Sequence, residues 1–315
     1  MKRSVFVAIF VLFALLLPAQ ESQTAFNFLR LPSSAHVAAL GGDQIALPDD
    51  DASLVFHNPA LIQFATDRTL QLGMMTYMEG TVTAQASYVR ATSGRGTWGV
   101  SGRYMDYGSM KETNATGQQT GTFSARDMAV GGTFAYGLTD RINGGVTAKF
   151  LASYIGNYNS VAAAVDLGLN YFDDESQWSL AAVVRNLGGQ LTTYEDDFER
   201  LPVDLQLGVT KRLVGSPLRF SATLVRLNDW EYGIGKHLVL GADLFLGNQF
   251  YLAAGYNTLR ASEMKVSTSS DEMSSHGAGL SLGGGLMLER LKLHVAYAKY
   301  HVSASSLLVN VSYAL

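Results

Sequence analysis

The sequence predicts an all-β protein: a transmembrane antiparallel β-barrel of about 14 strands with an N-terminal plug. Three observations predict it. Segments of about ten residues alternate apolar with small or polar side chains along most of the chain. Charged residues make up only 16% of the sequence, against roughly 25% in an average globular protein. After Leu17 no apolar run approaches the roughly 20 residues that a spanning helix needs. A chain that is apolar on average but never for long fits strands with one face in lipid.

Residues 1–19 read as a signal peptide. Lys2 and Arg3 precede the apolar run Val5 to Leu17, and Pro18-Ala19 offers a small residue for cleavage. The run is short for a span, and polar Glu21-Ser22-Gln23-Thr24 follows at once. The sequence has no cysteine, which excludes disulfides and lipidation. Its net charge of -4 argues against a nucleic-acid partner.

Residues 20–68 lack sustained alternation yet are too apolar for a disordered tail, so they are expected to fill the barrel as a plug. They carry Leu31-Pro32-Ser33-Ser34, Gly41-Gly42, the acidic run Asp49-Asp50-Asp51, and His57-Asn58-Pro59-Ala60. The barrel is expected over 69–315. Its strands are predicted near 70–79, 81–90, 97–107, 122–136, 141–154, 160–172, 177–186, 203–212, 217–226, 237–246, 249–257, 276–287, 290–301 and 306–315. Val161, Ala163, Val165, Leu167, Leu169 and Tyr171 share one face, for instance, with Ala162, Ala164, Asp166, Gly168 and Asn170 on the other. Aromatics near segment ends, such as Trp98, Tyr136, Tyr154, Trp178, Tyr256 and Tyr300, suit interfacial girdles.

The connections give an independent reading. Short ones at 91–96, 137–140, 173–176, 213–216, 247–248 and 288–289 alternate with a set containing the long polar segments 108–121, 187–202, 227–236 and 258–275. Short periplasmic turns and long external loops have that pattern. Arg103, Lys149, Asp166, Arg185 and Asp243 fall on the non-apolar faces, where opposite charges inside a barrel can pair and hold a plug.

No catalytic residues are expected. Gly279-Leu280-Ser281-Leu282-Gly283 matches a nucleophile-elbow pattern, but it lies inside an alternating segment with no helix after it. The six histidines, His36, His57, His237, His276, His294 and His301, form no close ligand pair, so neither metal nor cofactor is expected. The acidic clusters at 49–51, 173–175 and 195–199 have oxygen ligands for a hard cation but lack a periodic binding loop.

The N-terminal segment, its Asn58-Pro59-Ala60 motif and the strand number resemble the FadL-like class of outer-membrane barrels. Phe28-Leu29-Arg30-Leu31-Pro32-Ser33-Ser34-Ala35, Ala38-Ala39-Leu40-Gly41-Gly42 and Phe56-His57-Asn58-Pro59-Ala60-Leu61 are similar to the PorQ-like branch of the type IX secretion system. So are Gly121-Thr122-Phe123, Leu201-Pro202 and Gly255-Tyr256-Asn257. The resemblance implies a non-enzymatic bacterial outer-membrane component that anchors a PorZ-like surface protein, beside PorU- and PorV-like components, and helps to fix cargo to lipopolysaccharide. The wider class implies the alternative, a transporter of small hydrophobic molecules. The small and polar inner faces, with no concentrated aromatic lining in the pattern, favour the anchor. Tyr194, Phe198, Trp230 and Tyr232 in the long loops are the candidate partner contacts.

Overall fold

The inner faces of the strands are made of residues that a chain passing through the barrel can touch, and this decides where everything else sits. The computed structural model describes residues 24–78, 80–92, 94–229, 233–267, 273–274 and 277–315. The signal-peptide expectation and Trp230, Tyr232 and His276 lie outside them. The strands are β1 (Thr69–Thr76), β2 (Val82–Ala91), β3 (Gly96–Thr113), β4 (Gln119–Gly137), β5 (Ile142–Ile155), β6 (Tyr158–Asp173), β7 (Trp178–Thr192) and β8 (Asp204–Arg212). They continue with β9 (Leu218–Leu224), β10 (Leu238–Leu246), β11 (Phe250–Asn257), β12 (Val266–Ser267), β13 (Met273–Ser274), β14 (Leu280–Met287), β15 (Leu291–His301) and β16 (Ala304–Ala314). β12 and β13 form a separate short ladder, and the other 14 strands form one closed antiparallel barrel.

Each barrel strand pairs with the next, and β1 pairs with β16 to close the wall, with Leu72 opposite Val311 on one side and Ala86 on the other. Closure leaves no unpaired edge, which hydrocarbon would penalise by several kcal/mol per exposed polar group. The alternation is realised as predicted. Leu72, Val130, Phe150, Leu252 and Leu282 face outward, each more than half exposed, while Gln71, Asp127, Asp166, Asp243 and Asn310 are buried inside. An apolar outer surface on this scale is a lipid-facing one.

The wall is uneven in height. β3 and β4 have 18 and 19 residues, whereas β1 and β14 have 8 each. At about 3.3 Å per residue the tall strands run about 60 Å and the short ones about 26 Å. The short strands match the lipid band, so β3 and β4 rise well above it. The expected loop 108–121 is largely strand, with Lys111 opposite Thr122 and Glu112 opposite Gly121. The expected loop 187–202 likewise begins with strand, because β7 runs to Thr192. Polar side chains above the lipid lose their apolar alternation yet still pair their backbones, and water satisfies what the pattern cannot show. A bulge between Asp106 and Ser109, with Gly108 at φ 74°, marks where β3 leaves its partner β2.

Residues 24–66 are short elements laid against the inner faces. Helix α1 (Ala35–Ala39) is capped by Ser34 Oγ, and 3-10 turns occupy Asn27–Arg30, Ala52–Phe56 and Pro59–Phe64. None is long enough to persist alone, since isolated helices of fewer than about 12 residues are marginal in water. Contacts from the strands on both sides of the β1–β16 seam hold them. Gln85 of β2 and Asn310 of β16 donate to Ser33 O at 2.8 and 3.1 Å, Arg103 of β3 to Phe28 O at 2.8 Å, and Lys292 of β15 to Asp50 O at 2.8 Å. Glycines let the backbone approach. A Cβ at Gly255 would run into Leu40 and Gly41, and one at Gly145 into Pro59 and Ala60.

Candidate functional site

Two arrangements inside the barrel are built from conspicuous side chains: a charged clasp near the periplasmic end and a cavity at the external mouth. The clasp centres on Arg219, placed inward by the phase of β9 between outward Leu218 and Phe220. Its guanidinium reaches Asp49 in a fork, with distances of 2.6 and 2.9 Å, and donates through Nε to Asp243 of β10 at 2.8 Å. His36 of α1 lies 2.8 Å from the same Asp243 and 3.4 Å from Asp49. Its ring stacks at 5.9 Å on His294 of β15, which is 2.7 Å from the Tyr251 hydroxyl. Burial alone would raise the Asp49 carboxyl, but the Arg219 guanidinium outweighs it and holds the group at about 2. Burial also opposes charge on His36, yet Asp243 and Asp49 raise its pKa above the usual histidine value.

The sequence-predicted motif residues each have a place. Asp49 joins the clasp. Asp50 pairs with Lys292 and accepts from Thr66 N at 2.6 Å. Asp51 caps the turn 52–56 through Ser53 N at 2.8 Å and accepts from Ser34 Oγ at 3.1 Å. His57 Nε2 accepts from the amides of Ser33 and Ser34 at 3.4 and 3.3 Å, which ties the two halves of the segment together. Asn58 caps the turn 59–64, which Pro59 opens and Ala60 continues, and donates to Ile45 O at 2.9 Å. Ser281 of the Gly279–Gly283 pattern faces inward, where its hydroxyl accepts from Arg260 at 2.6 Å.

The predicted inward charges fall where their phase puts them. Lys149 pairs with Asp166 at 2.7 Å, and Arg185 with Asp204 at 3.0 Å and Asp43 at 3.4 Å. Sequence reasoning did not single out Arg219, Asp43, Asp204 or Lys292. The strand phase that selected Arg185 also selects Arg219, so that signal was present. Which acid meets it, 170 positions away, was not.

The external cavity has a volume of about 1110 Å³. The tall strands β3 to β6 bring Met110, Phe123, Ile155 and Tyr158 to it, and the buried ring of Phe26 forms its floor. The connection between β7 and β8 closes it with Tyr194 and Phe198, two of the candidate partner contacts: Tyr194 is half-buried, Phe198 largely exposed. Ala25 N donates to Arg200 O at 3.0 Å, so the segment and that connection are stitched together at the rim. This aromatic lining corrects the expectation of none. It is assembled from Phe26, Phe123, Tyr158 and Tyr194, which no local pattern places together. A smaller space of about 380 Å³ lies beside it, with Arg185 paired to Asp43 and Asp204, and Arg226 to Glu263 at 2.5 Å.

No protein-family model matches the sequence, and no characterised protein matches it as a sequence relative. Among solved structures, the fold is similar to the toluene transporter TodX of Pseudomonas putida, with a TM-score of 0.58 at 14% identity over 90% of this chain and 98% of that one. A FadL homologue of Pseudomonas aeruginosa gives 0.56 at 12% identity over 90% and 98%. The monoaromatic hydrocarbon channel CymD gives 0.57 at 13% identity over 92% and 98%. At these identities the likeness is one of fold. It covers nearly the whole of each partner, and the protein is a bacterial outer-membrane β-barrel.

Proposed function

We propose that the protein takes up small hydrophobic molecules across the outer membrane and first binds them in the external cavity. The observation that carries this reading is that cavity: about 1110 Å³, aromatic on several sides, and open to the exterior above the lipid. Ligand pockets usually span about 300–1,000 Å³; this one is slightly larger, with an aromatic and aliphatic wall on the strand side and polar groups along the β7–β8 connection. The fold's neighbours include a transporter and a channel named for aromatic hydrocarbons, which supports the same direction. The segment 24–66 then acts as a plug in the path. The test is binding of phenylpropanol to the protein in lipid nanodiscs, followed by uptake into proteoliposomes. Saturable binding that is lost in a Phe123→Asp, Tyr158→Asp variant supports the reading; non-saturable binding in the unaltered protein defeats it.

A second reading is favoured by the interior and by the sequence resemblance. The clasp and its companion ion pairs fix the segment to strands around the wall, and β3 and β4 stand above the membrane as a surface. Both suit a static anchor for a PorZ-like protein of a type IX secretion complex, with PorU- and PorV-like components and lipopolysaccharide nearby. Affinity purification from solubilised outer membranes separates the two. A large surface protein recovered at constant ratio supports the anchor. The barrel alone, with a bound hydrophobic molecule, supports uptake.

A further inference from the structure

We infer that the mouth cavity discriminates by charge: it accepts neutral and cationic hydrophobic molecules and rejects carboxylates. The inference rests on the proposed capture of hydrophobic molecules at the mouth and names their class. Around the aromatic lining stand Asp127, Glu195, Asp196, Asp197 and Glu199, and the one cation among the lining residues is Arg200. Four of the five acids sit on the connection that closes the cavity, and none of the five stands in an ion pair with a described cation. Of the arginines lining the adjoining smaller space, Arg185 and Arg226 are paired with acids of their own, and Arg260 is committed to backbone carbonyls and Ser281.

The depth of the cavity adds a second, independent feature. Asp127 is buried on the inner face of β4, where its Oδ2 accepts from the Tyr107 hydroxyl at 2.6 Å. Beside it lies the Ser153 hydroxyl, almost wholly buried, lining the same cavity and near both the Asp127 carboxylate and the Tyr194 hydroxyl without a well-formed hydrogen bond to either. A buried hydroxyl with incomplete hydrogen bonds costs free energy, and a ligand that completes them removes that cost. An ammonium group has donors for both the Asp127 carboxylate and the Ser153 oxygen, with its apolar part against Phe26, Phe123 and Tyr158. A carboxylate can accept from the Ser153 hydroxyl, but it has no donor for Asp127 and meets a field of its own sign.

The expected size follows from the charges. Four net negative charges about 8 Å from a ligand charge, in water at physiological salt, separate a cation from an anion by about tenfold in affinity. At 1 M salt the Debye length falls to about 3 Å and the preference shrinks to less than about twofold. The experiment compares phenylpropylamine, phenylpropanol and phenylpropanoate at pH 7 on the whole protein in nanodiscs of uncharged lipid. The expected order is amine, alcohol, carboxylate. In a variant carrying Glu195→Gln, Asp196→Asn, Asp197→Asn and Glu199→Gln, the ratio of amine to carboxylate affinity should narrow severalfold, with the alcohol measured on the same variant as the uncharged reference. If the alcohol binds and the carboxylate binds as well as the amine, charge selection is overturned and capture at the mouth stands. If none of the three binds saturably, capture at the mouth fails, and this inference falls with it.

Discussion

Replacing Arg219 with leucine should loosen the N-terminal segment without opening the barrel wall. The side chain is buried and holds two carboxylates, Asp49 on the segment and Asp243 on β10, through contacts of 2.6, 2.9 and 2.8 Å. Hydrogen bonds to charged groups contribute roughly 1.5–3 kcal/mol each in favourable geometry, and they are not additive. Removing one partner of a buried ion pair costs about 3–5 kcal/mol, chiefly because the other charge is stranded. His36 stays beside both acids and offsets part of this, so a loss of about 3 kcal/mol is expected, or roughly a hundredfold in the opening equilibrium. Hydrogen exchange read by mass spectrometry on peptides spanning 35–66 measures that opening directly. Peptides from β1 and β16, whose backbones pair across the closing seam, should exchange as before. A triple variant that also carries Asp49→Asn and Asp243→Leu leaves no stranded carboxylate and should recover much of the protection. If exchange in 35–66 changes by less than about threefold in Arg219→Leu, the clasp does not hold the segment and the reasoning is wrong.

Three further outcomes are expected. Asp49 is held at about 2, below its ordinary value of 3.8, so the charged form stabilises the native state. That contribution, about 2 kcal/mol, is complete above about pH 4 and fades as pH falls through about 2, and protection of 35–66 followed against pH should show it go. Gly255→Val should drive a side chain into the backbone of Leu40 and Gly41, costing at least about 1–3 kcal/mol as α1 is displaced, read as a lower unfolding temperature. Leu240→Arg places a cation on the lipid face of β10 and should cost about 2–4 kcal/mol in urea titrations of vesicle-inserted protein, whereas a glutamine there should cost less.

Much of the fold was legible because lipid and the packed interior impose one rule on every strand. Leu238, Leu240, Ala242 and Leu244 could be assigned outward, and Val239 and Asp243 inward, from spacing alone. The rule stops where the lipid does. Lys111, Glu112 and Thr113 extend β3 in water, where neither face need be apolar, so the sequence reads as loop although the backbone ladder continues. The candidate site was less legible for a different reason. Asp49 and Arg219 lie on separate elements, and their meeting depends on the path of the segment through the barrel rather than on any local spacing. The mouth cavity is further removed still, since Phe26, Phe123 and Phe198 become neighbours only after the wall has closed and the segment has been threaded.

The seam between β1 and β16 bears on the order of assembly. Asn310, on the strand that closes the wall, donates to Ser33 O and accepts from the amide of Ala35 at the start of α1. Bringing β16 into register with β1 therefore also brings its side chain onto the segment. A barrel zipped up around an empty interior would leave Asn310, Gln85 and Arg103 facing inward without these partners, each a polar group withdrawn from its hydrogen bonds. The closing seam thus senses whether the first part of the chain is in place, and it is at its most stable only when the contents are there.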